Sequence, residues 1–223
     1  APAQAARPGA QSPQAAEAVK AVEAVEAVQA EAEAEAGAVA LPAAAPAWPE
    51  AGGEPRARAG SPAAARAEEV VAGLAGILEQ ISALGARAPH RQTTEFHSVR
   101  PPSISIRDYV RHIGKHFQCS PECFVLGLVY IDRLITRCPD LHVDTLSVHR
   151  IIACSMVLAV KFQDDVYYSN KYYARVLALS LQEINELERT TLRLLSYKLC
   201  VSPAQFDKYH QMVRLAACGR VRV

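Results

Sequence analysis

Apolar residues in the second two thirds of the chain recur with the spacing of a helix. Between 68 and 84 they alternate steps of four and three residues, at Val70, Leu74, Ile77, Ile81 and Leu84. Such positions form one stripe on a helix, so this pattern predicts a short amphipathic helix. The following residues, 85–102, are polar and end in two prolines, which predicts a connecting loop.

Further helices are predicted from residue 103 onward. Phe124–Ile135 and His149–Phe162 are apolar on nearly every side, so they should be central helices. Capping residues or a first-turn proline mark the predicted starts: Ser105 with Asp108, Ser120-Pro121, Asp144, Ser169 or Asn170, Ser180 with Glu183, and Ser202 with Gln205. Because no comparable stretch alternates as a strand does, we predict an all-α bundle of five core helices with one extra helix at each end.

The first part of the chain has a different composition. Residues 1–66 are rich in Ala, Pro, Glu and Gly, and their valines recur every third residue, which forms no stable apolar stripe. We therefore predict a disordered low-complexity tail. The predicted organisation is a tail over 1–66, a helix and connecting loop over 67–102, and the main domain with its last helix over 103–216.

Charge and cysteine content narrow the classes of protein. Residues 1–99 carry 7 basic and 12 acidic side chains and residues 100–223 carry 17 and 11, a surplus too small and scattered to predict a nucleic-acid surface. All six cysteines lie in the second half, mostly within helical patterns, which favours reduced thiols in an intracellular protein, nuclear or cytoplasmic. The longest apolar run, Ile151–Val160, is too short to span a membrane.

Several short motifs occur in order over the five core helices. They are Tyr130-Ile-Asp-Arg133, Ala159-Val-Lys-Phe162, Asp164-Asp165, Glu186-Leu-Glu-Arg189 and Leu194-Leu-Ser-Tyr197. Further matching segments are Phe96-His97, Pro101–Ile106, Cys119–Phe124, His149-Arg150 and Tyr167–Ala174. Together these residues resemble a cyclin box, and in particular the P-type (U-type) cyclins related to the yeast phosphate-system cyclin. The resemblance covers about residues 68–216.

The resemblance implies a regulatory function with no cofactor and no small-molecule substrate. Cyclins bind a cyclin-dependent protein kinase and hold its mobile C helix in the active position. By similarity to the family, Lys161 and Glu188 should bond to backbone groups that flank this helix. We expect both to lie at the surface. A simple surface ion pair, worth at most ~1 kcal/mol, is the alternative interpretation.

Three neighbours of Lys161 are further candidates for kinase contact. Phe162 resembles the aromatic residue that lines the family's groove, although such a side chain could equally belong to the core. Asp164 and Asp165 could meet basic residues of the kinase, and a solvated acidic loop is the alternative.

Asp132 is predicted to have a structural role. A carboxylate in an otherwise apolar helix needs a partner, and the preceding helix offers Arg107 or Arg111. The sequence also departs from the family at Val176-Leu-Ala-Leu179, because relatives usually have glycines after the valine. We expect a local difference in this turn.

Two other classes compete with a kinase regulator. His112, His116, Cys119 and Cys123 have side chains that zinc accepts, but the two cysteines straddle a helix start instead of forming a tight knuckle. A cyclin-fold transcription scaffold is the other alternative, although such proteins usually contain two tandem boxes. The sequence has no phosphate-binding glycine loop or nucleophile elbow that would indicate an enzyme.

Overall fold

The computed structural model describes residues 62–86 and 93–220, and this part of the chain contains seven helices and no strand. The helices are α1 (Pro62–Gly85), α2 (Ile106–His116), α3 (Pro121–Arg137), α4 (Val148–Gln163), α5 (Asn170–Leu177), α6 (Leu181–Leu194) and α7 (Pro203–Ala217). The all-α prediction is confirmed, with five core helices, α2–α6, between two others. The predicted tail lies outside the described residues except for 62–66, which begin α1.

The helix starts follow their capping residues. Ser105 and Ser202 accept hydrogen bonds from backbone N–H groups in the first turns of α2 and α7. Ser180 and Glu183 form a full capping box at the start of α6. Asp144 lies one turn before the start of α4, which begins at Val148. Its side chain accepts hydrogen bonds from the N–H groups of Leu146 and Ser147.

The core is formed where α3 packs against α4. Nearly every residue from Cys123 to Ile131 and from Val148 to Val160 is buried, as the all-round apolar patterns predict. The two helices approach closely, because a Cβ at Gly127 would lie 2.8 Å from the Met156 sulfur. Helices α1, α2, α6 and α7 surround this pair, and α5 packs against α6 and α2.

Hydrogen bonds join the segment between α6 and α7 to α3. Tyr130 donates its hydroxyl proton to the backbone oxygen of Leu199 at 3.0 Å. Arg133 donates to the backbone oxygens of Lys198 and Cys200 at 2.6 and 2.9 Å, and to the Gln205 side chain at 3.0 Å. These bonds give partners to backbone carbonyls of the segment between α6 and α7. The Tyr130–Arg133 motif therefore has a structural role, because it joins α3 to the segment that follows α6.

Left-handed residues other than glycine follow three helices, with Gln118 after α2 as the first. Ala178, which ends α5, has φ of 55°, a backbone conformation that favours glycine. The expected difference from the family in this turn stays a prediction. Ser196 and Tyr197, after α6, have φ of 52° and 56°. Side chains in this region of backbone space are strained, so the surrounding packing must hold these turns.

Helices α1 and α7 pack together at unusually short distance around Gly73. A Cβ at this glycine would lie 2.0 Å from the backbone oxygen of Val213. No described helix, including the 24-residue α1, is long and apolar enough to cross a membrane. Helix α1 packs against α2, α3 and α7, and its Leu74, Ile77 and Leu78 side chains are buried, so α1 contributes to the hydrophobic core.

We predict that Gly73→Ala destabilises the domain by about 1–3 kcal/mol, because α1 and α7 would have to separate. Gly76→Ala on the same helix is the control, since a Cβ there meets no atom within 4 Å. This control should be neutral or stabilising by up to about 1 kcal/mol, as alanine favours helix. Urea unfolding measures the change in the free energy of unfolding for both variants. Equal effects of the two substitutions would refute the close contact.

Candidate protein-binding site

Lys161 and Glu188 form an ion pair between the end of α4 and the middle of α6. The lysine Nζ lies 2.8 Å from Glu188 Oε1 and 3.0 Å from Oε2. The ion pair of the alternative interpretation is therefore present, and contact of the two residues with a kinase stays a prediction. The pair forms because α6 packs along α4, which places the last turn of α4 beside this carboxylate.

The ion pair is more deeply covered than we predicted. The side chain of Lys161 is 7 % exposed and that of Glu188 is 13 % exposed, so neither is an ordinary surface residue. The expectation of two surface side chains is wrong, because α6 packs against α4 and Asn170 at the start of α5 bonds to Glu188. Charges that are already out of water lose little further hydration when a partner protein binds.

Asn170 completes a polar network that sequence reasoning missed. Its Nδ2 donates to Glu188 Oε2 and to Asn185 Oδ1, both at 2.7 Å. Asn170 is 2 % exposed and is the first residue of α5. The sequence signalled only a helix start at Ser169 or Asn170, because asparagine is common at such positions.

An exposed apolar patch lies next to Lys161 in the chain. We define it as Phe162, Val166 and Tyr167, which are 39 %, 70 % and 40 % exposed. Phe162 belongs to the last turn of α4, and the other two lie in the connection to α5. The core alternative for Phe162 does not fit this exposure, and its contact with a kinase stays a prediction.

The two neighbouring aspartates differ in their surroundings. Asp164 accepts bonds from the Ser120 backbone N–H at 2.8 Å and from the Ser120 hydroxyl at 2.6 Å. This carboxylate therefore fastens the end of α4 to the start of α3. Asp165 is exposed. Contact of Asp164 and Asp165 with a kinase stays a prediction, and only Asp165 is presented to solvent without such a bond across the fold.

The predicted contact between Asp132 and an arginine of α2 is wrong. Asp132 is exposed and accepts a hydrogen bond from the Tyr209 hydroxyl of α7 at 2.7 Å. Burial of Tyr209 and this bond raise the pKa of its hydroxyl to about 12. Arg111 pairs with Asp108 on its own helix at 2.7 Å, and Arg107 pairs with Glu79 of α1. Because α7 covers this side of α3, an aromatic hydroxyl takes the place expected for an arginine.

The candidate zinc residues have other partners. His112 donates from Nε2 to the backbone oxygen of Val176 at 3.1 Å, and its ring lies 4.3 Å from that of His116. The Cys123 sulfur lies 3.3 Å from the Ser120 hydroxyl. Within residues 62–86 and 93–220, no group of three or more histidine, cysteine or acidic side chains could hold a metal ion.

The described residues form an all-helical domain with a covered ion pair between α4 and α6 and with exposed apolar side chains that follow Lys161 in the chain. The chain belongs to the cyclin family, since the family model described as "Cyclin" matches residues 16–199. Cyclins are regulatory proteins and not catalysts. The motifs resemble those of P-type and U-type cyclins, and relatives of this chain have the names Cyclin-U and Cyclin-P.

Three of these relatives are plant cyclins. Cyclin-U1-1 of Arabidopsis thaliana is 46 % identical over 114 residues, which are 51 % of this chain and 54 % of that protein. Cyclin-U4-1 of Arabidopsis thaliana is 36 % identical over 146 residues, or 63 % and 72 % of the two chains. Cyclin-P4-1 of Oryza sativa subsp. japonica is 43 % identical over 114 residues, or 51 % and 54 %. The matched segments thus span about half to three quarters of these relatives.

We predict that the domain loses stability as the pH falls below about 6.5, the ordinary pKa of histidine. Burial lowers the pKa of His112 and of His116 below the ordinary value of 6.5, with further lowering of His112 by His116 and of His116 by Lys115. The unfolded chain therefore takes up protons first, and stability present above pH 6.5 is lost below it. Urea unfolding between pH 7.5 and 5 measures this, and His112→Gln/His116→Gln should flatten the dependence. An unchanged slope would contradict the assignment.

We also predict that breaking the ion pair on one side is more harmful than expected for an exposed pair. Lys161→Ala or Glu188→Ala should each destabilise by about 2 kcal/mol or more, because a covered charge is left alone. The double variant should lose less stability than the sum of the single losses. Denaturant unfolding of the four proteins measures the coupling. Additive losses would show that the two charges do not interact.

Proposed function

We propose that this cyclin binds a cyclin-dependent protein kinase and holds the kinase C helix in its active position. The observation that carries the proposal is the Lys161–Glu188 pair beside the exposed apolar patch. The pair combines a cation and an anion on two packed helices, and the patch provides apolar surface next to them. A helix of another protein with polar backbone groups at its end matches this combination.

The chemistry of a kinase explains why holding its C helix in place is enough to activate it. In an active kinase, the lysine that binds the ATP phosphates pairs with a glutamate of the C helix, so catalysis requires that helix to be in place. A partner shifts this equilibrium only if it binds the active arrangement more tightly than the inactive one. A change from 1 % to 99 % active requires an affinity ratio of about 10⁴. A rigid helical surface can provide such discrimination.

Lys161 and Glu188 have bonding capacity beyond their mutual contact. An ammonium group has three donors, and two of them account for the bonds to Glu188. Each carboxylate oxygen can accept more than one bond. In the proposed complex, the third lysine proton meets a kinase carbonyl and the carboxylate accepts a backbone N–H. Charge-assisted bonds of this kind fix the register of the bound helix.

The apolar patch supplies the remaining contact area. Phe162, Val166 and Tyr167 expose apolar surface that becomes buried under the kinase, and burial of such surface drives association. Asp165 is exposed and directly precedes Val166 in the chain. In the proposed complex it attracts a basic kinase residue and adds to the rate of association. The chain itself catalyses no reaction in this proposal, and its effect is read from the kinase.

The proposal is tested by capture of purified cyclin-dependent kinases on the immobilised chain. We expect the unaltered chain to retain and activate one of them, and Lys161→Ala/Glu188→Ala to weaken binding by roughly tenfold or more, equivalent to about 1.4 kcal/mol. Kinase activity toward a peptide substrate gives the second readout. Circular dichroism separates loss of contact from loss of fold.

Glu186→Ala/Arg189→Ala is the matched control for this experiment. These residues form an ion pair three residues apart on α6, and their side chains are 61 % and 52 % exposed. Their removal should leave kinase retention and activation unchanged, since exposed pairs of this kind contribute little. Equal retention by the control and the Lys161/Glu188 variant would overturn the proposed site. Failure of every tested kinase to bind would overturn the proposed function.

A further inference from the structure

Asn170 is buried in a position where its amide serves the ion pair and not its own helix. Ser169 is the N-cap of α5, and Asn170 is the first residue inside the helix. The Asn170 Nδ2 instead extends sideways to α6, where it bonds to Glu188 and Asn185. Asparagine near a helix start usually bonds to nearby backbone. The Asn170 side chain bonds instead to two side chains of another helix.

The orientation of the amide is dictated by Glu188. A carboxylate accepts hydrogen bonds and cannot donate them, so the amide nitrogen and not the oxygen must face Glu188 Oε2. The consequence is that Asn170 Oδ1 is buried with no hydrogen-bond partner among the described residues. A buried polar atom without a partner costs free energy. This cost accompanies the hydrogen bond that Asn170 Nδ2 donates to the Glu188 carboxylate.

We propose that Asn170 is a positioning residue that holds the Glu188 carboxylate in its kinase-binding orientation through the Nδ2–Oε2 hydrogen bond. The inference rests on the proposed function, because it assigns Asn170 a part in the same site. A glutamate side chain has three rotatable bonds, and a single flexible lysine leaves its carboxylate free to turn. A second donor from a buried, rigid amide fixes the plane of the carboxylate before the kinase arrives.

The two donors reach Glu188 from different elements. Lys161 bonds from the end of α4, and Asn170 bonds from the start of α5. Both contact Oε2, at 3.0 and 2.7 Å respectively, so this oxygen lies between them. Oε1 has a bond only from Lys161 among the contacts that the structure describes. The orientation of Oε1 therefore depends on how Oε2 is held.

Two substitutions separate positioning from a role in helix formation. Asn170→Ala removes the donor. Asn170→Asp keeps the size of the side chain but replaces the donor with a second carboxylate facing Glu188. An acidic residue in the first turn favours a helix, so Asn170→Asp should preserve α5. If Asn170 serves only to start α5, Asn170→Asp should leave kinase binding unchanged. If Asn170 positions Glu188, Asn170→Asp should bind the kinase less well than Asn170→Ala.

The experiment is a double-mutant cycle on affinity for the cyclin-dependent kinase that the unaltered chain retains. We expect Asn170→Ala to weaken binding about tenfold and Asn170→Asp to weaken it more, since each removes a charge-assisted bond from Glu188. In a Glu188→Ala background, both substitutions should have less than a twofold effect. Ser180→Ala, which removes the α6 capping box, is the control for general destabilisation and should leave affinity unchanged.

A measurement on the free chain tests the inference without a kinase. The Lys161 ammonium bonds to both Glu188 oxygens, so its proton–nitrogen NMR signal should be protected from exchange in the unaltered chain and in Ser180→Ala. Asn170→Ala and Asn170→Asp should each reduce this protection several-fold, because the carboxylate is then free to turn. Unchanged protection in both Asn170 variants would overturn the positioning role.

The kinase data separate this inference from the proposed function. If no kinase is retained, the proposed function fails. If Glu188→Ala binds as tightly as the unaltered chain, the proposed site fails. In either case the kinase-binding part of the inference fails with it. If Glu188→Ala weakens binding while Asn170→Ala does not, only the inference fails. Equal losses from Asn170→Ala in the unaltered chain and in the Glu188→Ala variant would also overturn it, since they would show an effect that does not pass through Glu188.

Discussion

Burial of α3 against α4 is the constraint on which the rest of the structure depends. Both helices are apolar on nearly every side, so neither can be stable unless other helices cover them. This requirement places α6 along α4 and α1 and α7 against α3. The candidate site follows from the same packing, because Lys161 at the end of α4 then lies beside Glu188 of α6.

The ion pair shows how a packed bundle can present charge without leaving it in water. Its side chains are 7 % and 13 % exposed, and Asn170 adds a third polar group from α5. A covered charge is tolerated only when it is paired and hydrogen-bonded, and the network meets both conditions. The apolar patch begins at the next residue, Phe162. In the proposed complex, the kinase helix contacts both the ion pair and the apolar patch.

Many residues that carry the cyclin resemblance also form hydrogen bonds or ion pairs within the fold. Arg133 bonds to the turn after α6, and Arg150 donates to the His97 backbone oxygen and pairs with Glu183. His149 donates to the backbone oxygen of Ile104 at 3.0 Å. Asp164 joins α3 and α4 through Ser120. Such bonds span 33 to 67 positions along the chain, so their partners are matched only when the bundle has formed.

The sequence by itself determined the helical class, the order of the helices and most of their starts, because apolar periodicity and capping are local properties. The tertiary structure decided which polar side chains meet. Asp132 bonds to Tyr209 where an arginine was expected, and Asn170 reaches Glu188 from a helix start that its own sequence context marks only as a cap. The physical reason is that a hydrogen bond depends on distances of about 3 Å. Only the packing of distant helices sets such distances.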